Sequence, residues 1–194
     1  VRKEFDYITV DNLGYGYIGI NAGQKGLENV HVRRAIAHAI DLDLFLNYYP
    51  GGLASIIYRG MSSVSWAYPE GLTEAYYPYD KTETKSKIKS ELDLAVADNY
   101  LTTDGDTYYY GGKPLKLTFT ISGDTQDHPA YQVLYNAAEI LNKNGYLRFE
   151  KAGYGQSASV GGGVELHGRP RYVSGLAQGF QSNKRLELGV QRNS

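Results

Sequence analysis

Residues 15–45 read YGYIGINAGQKGLENVHVRRAIAHAIDLDLF, and the way this stretch folds decides the rest. Residues 17–21 read as a short strand that ends on Asn21. A glycine-bearing loop follows at residues 23–26. From about Asn29 to Tyr48 the apolar positions Val32, Ala35, Ile36, Ala39, Ile40 and Leu44 recur at helical spacing, and Pro50 with Gly51 closes the helix. The unit is therefore strand, loop, helix.

Outward from this unit the chain alternates both kinds of element. The opening VRKEFDYITV reads as a strand. Asp80, with Glu83 three residues on, has the arrangement of a capping box, and Ile88, Leu92 and Ala95 supply the apolar stripe of the helix it starts. TDGDTYYYGG (residues 103–112) has turn residues on both sides of a tyrosine run and predicts a hairpin or loop. Leu115, Leu117, Phe119 and Ile121 alternate with polar residues, as in a half-buried strand. A third helix is expected between Asp127 as cap, with Pro129 in the first turn, and Gly145 just past the end. The expected class is α/β, of a mixed α+β kind.

Composition excludes several functions. Charge is nearly balanced, 20 Lys+Arg against 21 Asp+Glu, so no basic field exists to hold nucleic acid. There are no cysteines, hence no disulfide and no thiolate metal site, a composition that suits an extracytoplasmic protein. No apolar run approaches the roughly 20 residues that span a bilayer. The chain has no signal peptide and no initiator Met, and is expected to be an internal fragment. Tyrosine is abundant, at 19 residues; its flat apolar body and polar tip suit half-buried strands and ligand clefts alike.

The candidate chemical motifs give way to plainer readings. Gly14, Gly16 and Gly19 satisfy G-x-G-x-x-G, but they run into a strand rather than onto a helix N-terminus, where a pyrophosphate would sit. His31 and His38 stand two helical turns apart, too far to share a metal ion. Asp104 and Asp106 lack the further oxygens of a calcium loop and read as a turn. No G-x-S-x-G pentapeptide occurs, and nothing favours a carboxylate pair for glycoside hydrolysis. The expectation is no enzyme, no cofactor and no metal.

Strand 17–21, the loop and the V-R-R-A-I-x-x-A-I-D helix together resemble the extracellular solute-binding proteins of ABC transporters, in the family that binds peptides, nickel and related solutes. The order continues through residues 60–71, which hold Trp66 and Pro69. It then runs through YYPYDKTETKSKIKSELDLA (76–95), GGKPLKLTFTISGD (111–124) and KNGY (143–146). The resemblance covers roughly residues 5 to 147. It implies part of the C-terminal lobe of a type II periplasmic-binding-protein-like fold over residues 1–150, which closes on solute by hinge motion and delivers it to a membrane permease. It also implies an extracellular location, lipid-anchored at the cell surface or periplasmic, and a monomer whose partners are the solute and the ABC permease.

Tyr17, Gly19 and Asn21 lie where the family's strand approaches the cleft, and the resemblance makes them candidates to meet an extended peptide or to be an interior strand. Trp66 is a candidate cleft wall or core plug. Arg33, Ala35 and Asp41 are family-pattern positions expected to anchor the helix. Peptide is the expected solute class, with nickel, haem and oligosaccharide left open. The competing reading is an extracellular tyrosine-rich carbohydrate-binding or adhesion module, which would expose aromatic rings on a flat face.

Residues 151–194 break the pattern. They hold 9 glycines and carry 6 Lys+Arg against 2 Asp+Glu, whereas the first 150 residues carry 14 against 19. VELHGRPRYVSG (164–175) can be encoded so that reading one base later gives W-S-S-T-V-D-P-D-M-Y-Q, which looks like the family's missing acidic loop. The expectation is an aberrant, frameshifted, poorly structured tail, and a fragment not competent to bind alone.

Overall fold

The computed structural model describes residues 6–11, 13–71, 77–119, 129–143, 148–151, 163–165, 179–182 and 185–189. Strand β1 (Asp6–Val10) and strand β2 (Gly16–Gly19) precede helix α1 (Val30–His38) and the short helix α2 (Asp43–Leu46). A 3-10 turn at Pro50–Gly52 leads into β3 (Ala54–Ile57), and α3 (Thr84–Ala97) follows. Strands β4 (Thr102–Asp104), β5 (Thr107–Tyr110) and β6 (Lys113–Pro114) form an antiparallel meander. After β7 (Lys116–Phe119) come α4 (Ala130–Lys143), β8 (Arg148–Lys151), β9 (Gly163–Glu165), β10 (Gly179–Ser182) and β11 (Arg185–Gly189).

The central sheet runs β3-β10-β2-β9, with β2 antiparallel to β10 and parallel to β9. Strands β7 and β8 pair in parallel across α4, with Leu117 opposite Phe149, and β1 pairs antiparallel with β11. This mixture of parallel and antiparallel pairs with helices is the expected α/β class. The β2 pairing fixes which side chains face inward: Ile18 and Ile20 are buried, while Tyr17, just before Ile18, is exposed. Both isoleucines join the cluster that holds Val32, Ala35, Ile36, Ile88 and Leu92. Helix α1 thus packs on helix α3 and shares one core cluster with the strand that feeds it.

Each helix follows from its buried stripe. Helix α3 buries Thr84, Ile88, Leu92 and Ala95, a spacing that keeps one face on the core. Helix α4 buries Ala130, Val133, Leu134, Ala137 and Leu141. At about 1.5–3 kcal/mol for each fully buried Leu, Ile or Val, these faces and not intrinsic propensity hold the helices.

Three expectations are corrected in detail. The helix expected over residues 29–48 is two helices, broken at residues 39–42. There the Asp41 carboxylate accepts the Asp43 N–H at 3.2 Å, the local bond by which Asp competes with a continuing helix. The strand expected over residues 17–21 ends at Gly19, because Asn21 is committed to a turn. The capping box is also rewired. Asp80 accepts the N–H groups of Thr82 and Glu83 at 2.7 and 3.0 Å, but its own N–H goes to Thr84 Oγ1 at 3.1 Å and not to Glu83. Of residues 151–194, Lys151 and three short strands are described. The expected cap Asp127, Gly145, Ile121 and the rest of the tail lie outside the described residues.

Gly26 is required by backbone and space together. Its φ is +89°, and an added Cβ would lie 2.6 Å from Cδ1 of the buried Leu115. Gly26→Ala is expected to cost about 1–3 kcal/mol, from left-handed strain and overpacking. Urea unfolding with an unchanged slope checks this; a midpoint equal to that of the parent chain contradicts the close approach.

Candidate functional site

The surface beside β2 is built by alternation. Leu13, Tyr15 and Tyr17 are 68%, 39% and 40% exposed, and the rings of Tyr15 and Tyr17 lie 6.2 Å apart. Tyr15 and Tyr17 therefore lie together in solvent, with Leu13 exposed just before them, while Ile18 and Ile20 fill the core. Gly19 is half-buried at the end of β2, opposite Glu165. Asn21 accepts the Gly23 N–H on Oδ1 at 2.9 Å and the Gln24 N–H on its carbonyl at 3.1 Å, so it shapes the turn that carries the chain from β2 toward α1.

Arg33 holds that turn from the helix. Its Nη1 donates to the Leu27 and Glu28 carbonyls at 2.7 and 2.8 Å. Asn29 caps α1 with Oδ1 accepting from His31 and Val32, while its Nδ2 donates to Asp98 at 2.8 Å. His31 Nδ1 meets Glu91 Oε2 at 2.6 Å. The Tyr100 hydroxyl donates to the Glu28 carboxylate, which also accepts the Gly26 N–H at 2.8 Å. Burial resists ionisation of Glu28, but these bonds keep its carboxyl below the usual range; burial and the bond to Glu28 push the Tyr100 phenol up. Ala35 is fully buried. Sequence reasoning singled out Arg33 and Ala35; the reach from α1 to α3 through Asn29, His31 and Glu28 became visible only in three dimensions.

Asp41 stands apart from these. It lines a cavity of about 120 Å³ with Asp43, Leu42, Ile56, Tyr58, Tyr77, Pro78 and Tyr79. Burial, and then the neighbouring Asp43 carboxylate, push the Asp41 carboxyl up, against the bond from the Asp43 N–H. The tyrosines of this cavity were not singled out by sequence; the run YYPY at residues 76–79 was the available signal. Trp66 is 98% exposed, so it is no core plug. His31 and His38 serve different contacts, and among the described residues no group of three or more His, Cys, Asp or Glu could hold a metal ion. Asp104 and Asp106 flank the β4–β5 turn, where Gly105 takes a φ of +60°.

Comparison with known proteins places this arrangement. Residues 1–146 match the sequence profile of the bacterial extracellular solute-binding proteins, family 5 Middle. The chain belongs to that family. Its members are binding proteins, not enzymes, and deliver peptides or small solutes to ABC permeases. They are periplasmic or extracellular; among the described residues no helix is long and apolar enough to cross a membrane.

No curated protein matches the chain. Among solved structures it is similar to the oligopeptide-binding protein AppA of Bacillus subtilis in complex with a nonapeptide, with a TM-score of 0.57 and 19% identity over 77% of this chain and 28% of that one. The oligopeptide-binding protein of Thermus thermophilus with a pentapeptide gives 0.54 and 17%, over 76% and 24%. NikZ of Campylobacter jejuni with Ni(L-His) gives 0.54 and 15%, over 84% and 31%. The chain thus spans between a quarter and a third of the length of these structures, and its fold is part of the type II periplasmic-binding-protein-like fold.

Two substitutions separate anchoring from charge. Arg33→Ala is expected to lose about 1–3 kcal/mol, because two carbonyls lose a charged donor, with Arg33→Lys recovering part of it; calorimetric unfolding checks this. Asp41 titrates higher folded than unfolded, so its stabilising contribution is full below the unfolded value and is lost as pH rises through the folded one. Asp41→Asn keeps the oxygen that accepts the Asp43 N–H. It is therefore expected to be at least as stable as the parent near about pH 7, with the difference vanishing near about pH 3; an Asn variant less stable near neutrality contradicts the desolvated carboxylate.

Proposed function

We propose that this chain is part of the substrate-binding component of an ABC importer and that the solute is an oligopeptide. The observation that carries the reading is the exposure of Leu13, Tyr15 and Tyr17, on β2 and the segment just before it, which the family motif leads into α1. Strand β2 is flanked by β10 on one side and β9 on the other. It offers a solute the Tyr17 ring and not a free backbone edge, so the contact is stacking and van der Waals packing along an extended chain and not strand addition. The peptide complexes among the similar structures support the solute class. Trp66, fully in solvent, serves as a second aromatic contact on the same reading, and Gly19 keeps the approach to β2 clear of a side chain.

Two walls are needed to desolvate a peptide, and this portion provides one. The isolated chain is therefore expected to bind a mixed-sequence nonapeptide with a Kd weaker than about 1 mM, only about −4 kcal/mol. In the longer binding protein to which the portion belongs, Tyr17→Ala is expected to weaken peptide binding about tenfold, a loss of about 1.4 kcal/mol. Titration calorimetry measures both. Micromolar binding by the isolated chain contradicts the one-wall reading. Retention of oligosaccharides in place of peptides would favour the tyrosine-rich carbohydrate module.

A further inference from the structure

His38 closes α1 in a setting that its neutral form tolerates and its charged form does not. The residue is 8% exposed. Its ring stands edge-on to Tyr77, with centroids 5.4 Å apart at 86°. Nδ1 is buried without a hydrogen-bond partner; the nearby Pro78 backbone favours a charge on the ring, but burial outweighs it. A neutral imidazole carries a proton on only one of its two nitrogens, so a bare Nδ1 suits this partnerless position.

Charging the ring would add a second N–H, at Nδ1, where no acceptor lies in reach. One turn earlier on α1 the Arg34 guanidinium already covers Tyr77, 5.8 Å from the ring centroid, so a second cation would crowd the same aromatic contact. The surrounding charges come from two further elements. On α3, Lys87 opposes a charge on His38 and Glu91 favours one, but Glu91 is already engaged by His31 at 2.6 Å. On the strap at residues 77–80, the Asp80 carboxylate is committed to the N–H groups of Thr82 and Glu83. Burial is the main influence that holds the imidazole below its ordinary range.

Other contacts, Arg34 over Tyr77 among them, also hold the strap at this end of α1. Thr84 is one: its Oγ1 accepts the Asp80 N–H at 3.1 Å and donates to the His38 carbonyl at 3.4 Å. Tyr77, Pro78 and Tyr79 also form one wall of the cavity that contains Asp41 and Asp43. We propose that His38 is a proton-operated latch: neutral, it clamps residues 77–80 against the end of α1; charged, it releases them and opens that wall of the cavity. The sign follows from the neutral ring being the one that fits: the clamp is full where an imidazole is neutral even in the unfolded chain and is lost as pH falls.

Hydrogen exchange of the intact chain tests this at about pH 5 and about pH 8, the limits between which an imidazole changes charge. After correction for intrinsic rates, the amides of Tyr77, Tyr79 and Asp80 are expected to open about five- to a hundredfold more at the lower pH, the factor for one buried donor left unpaired. The Leu92 amide in α3 is expected not to follow. His38→Phe, which keeps a flat ring but cannot charge, is expected to abolish the difference. Equal strap opening at both pH values overturns the latch, as does a pH response that survives His38→Phe, or a Leu92 amide that opens by the same factor. If His38→Phe does not fold, the His38 ring-proton titration of the parent chain decides: a midpoint below that of the unfolded chain supports the latch, and one at or above it overturns it.

Discussion

The packing of α1 against α3 is the contact on which the rest of the described structure depends. It is close because Ala35 on α1 and Ala39 just past its end, both fully buried, stop at Cβ and leave room for Ile88, Leu92 and Ala95. An alanine gives up almost no side-chain entropy on burial, so the interface keeps nearly all the gain of its larger partners. The same core cluster takes in Ile18 of β2 and Ile20 just past it, Leu115, Leu117 and the buried face of α4.

Polar anchors then fix what apolar burial leaves free. Burial is non-directional, so it brings α1 and α3 together without choosing how the chain enters the helix. Arg33, Asn29, His31 and Glu28 make that choice by tying the start of α1 to the preceding turn and to the C-terminal half of α3. On the far side of α3, Tyr108 is wholly buried with its hydroxyl donating to Asp93, and burial followed by that bond pushes its phenol up to about 12. The tyrosine-rich meander is held to the helix by a ring in the core and a hydroxyl at the rim, which is how a residue with an apolar body and a polar tip earns its place in a small domain.

The surface outside this frame divides into two regions. Beside β2 the exposed side chains are apolar and aromatic, and the backbone edges are occupied. Beyond the end of α1 lies a small cavity of mixed character, with two aspartates, tyrosine rings and aliphatic side chains. The first suits an extended ligand that lies across it. The second is bordered by a strap that packs on the buried His38 ring and is also held by Thr84 and Arg34.

Periodicity in the sequence determined the longer helices and strand β7, because a buried stripe repeats at a period that only one backbone geometry can satisfy, and turn residues marked the β4–β5 hairpin. The motif over residues 15–45 likewise carried family membership. Position along the chain could not say that Asp41 interrupts the helix, since its carboxylate serves as well on a continuing helix as in a turn. Nor could it say that Asp80 pairs with Thr84 in place of Glu83, a choice between two acceptors within reach of one N–H. The cavity, the burial of His38 and the full exposure of Trp66 were decided only by tertiary structure: each depends on residues tens of positions away, and local patterns record which face a side chain takes but not what stands opposite it.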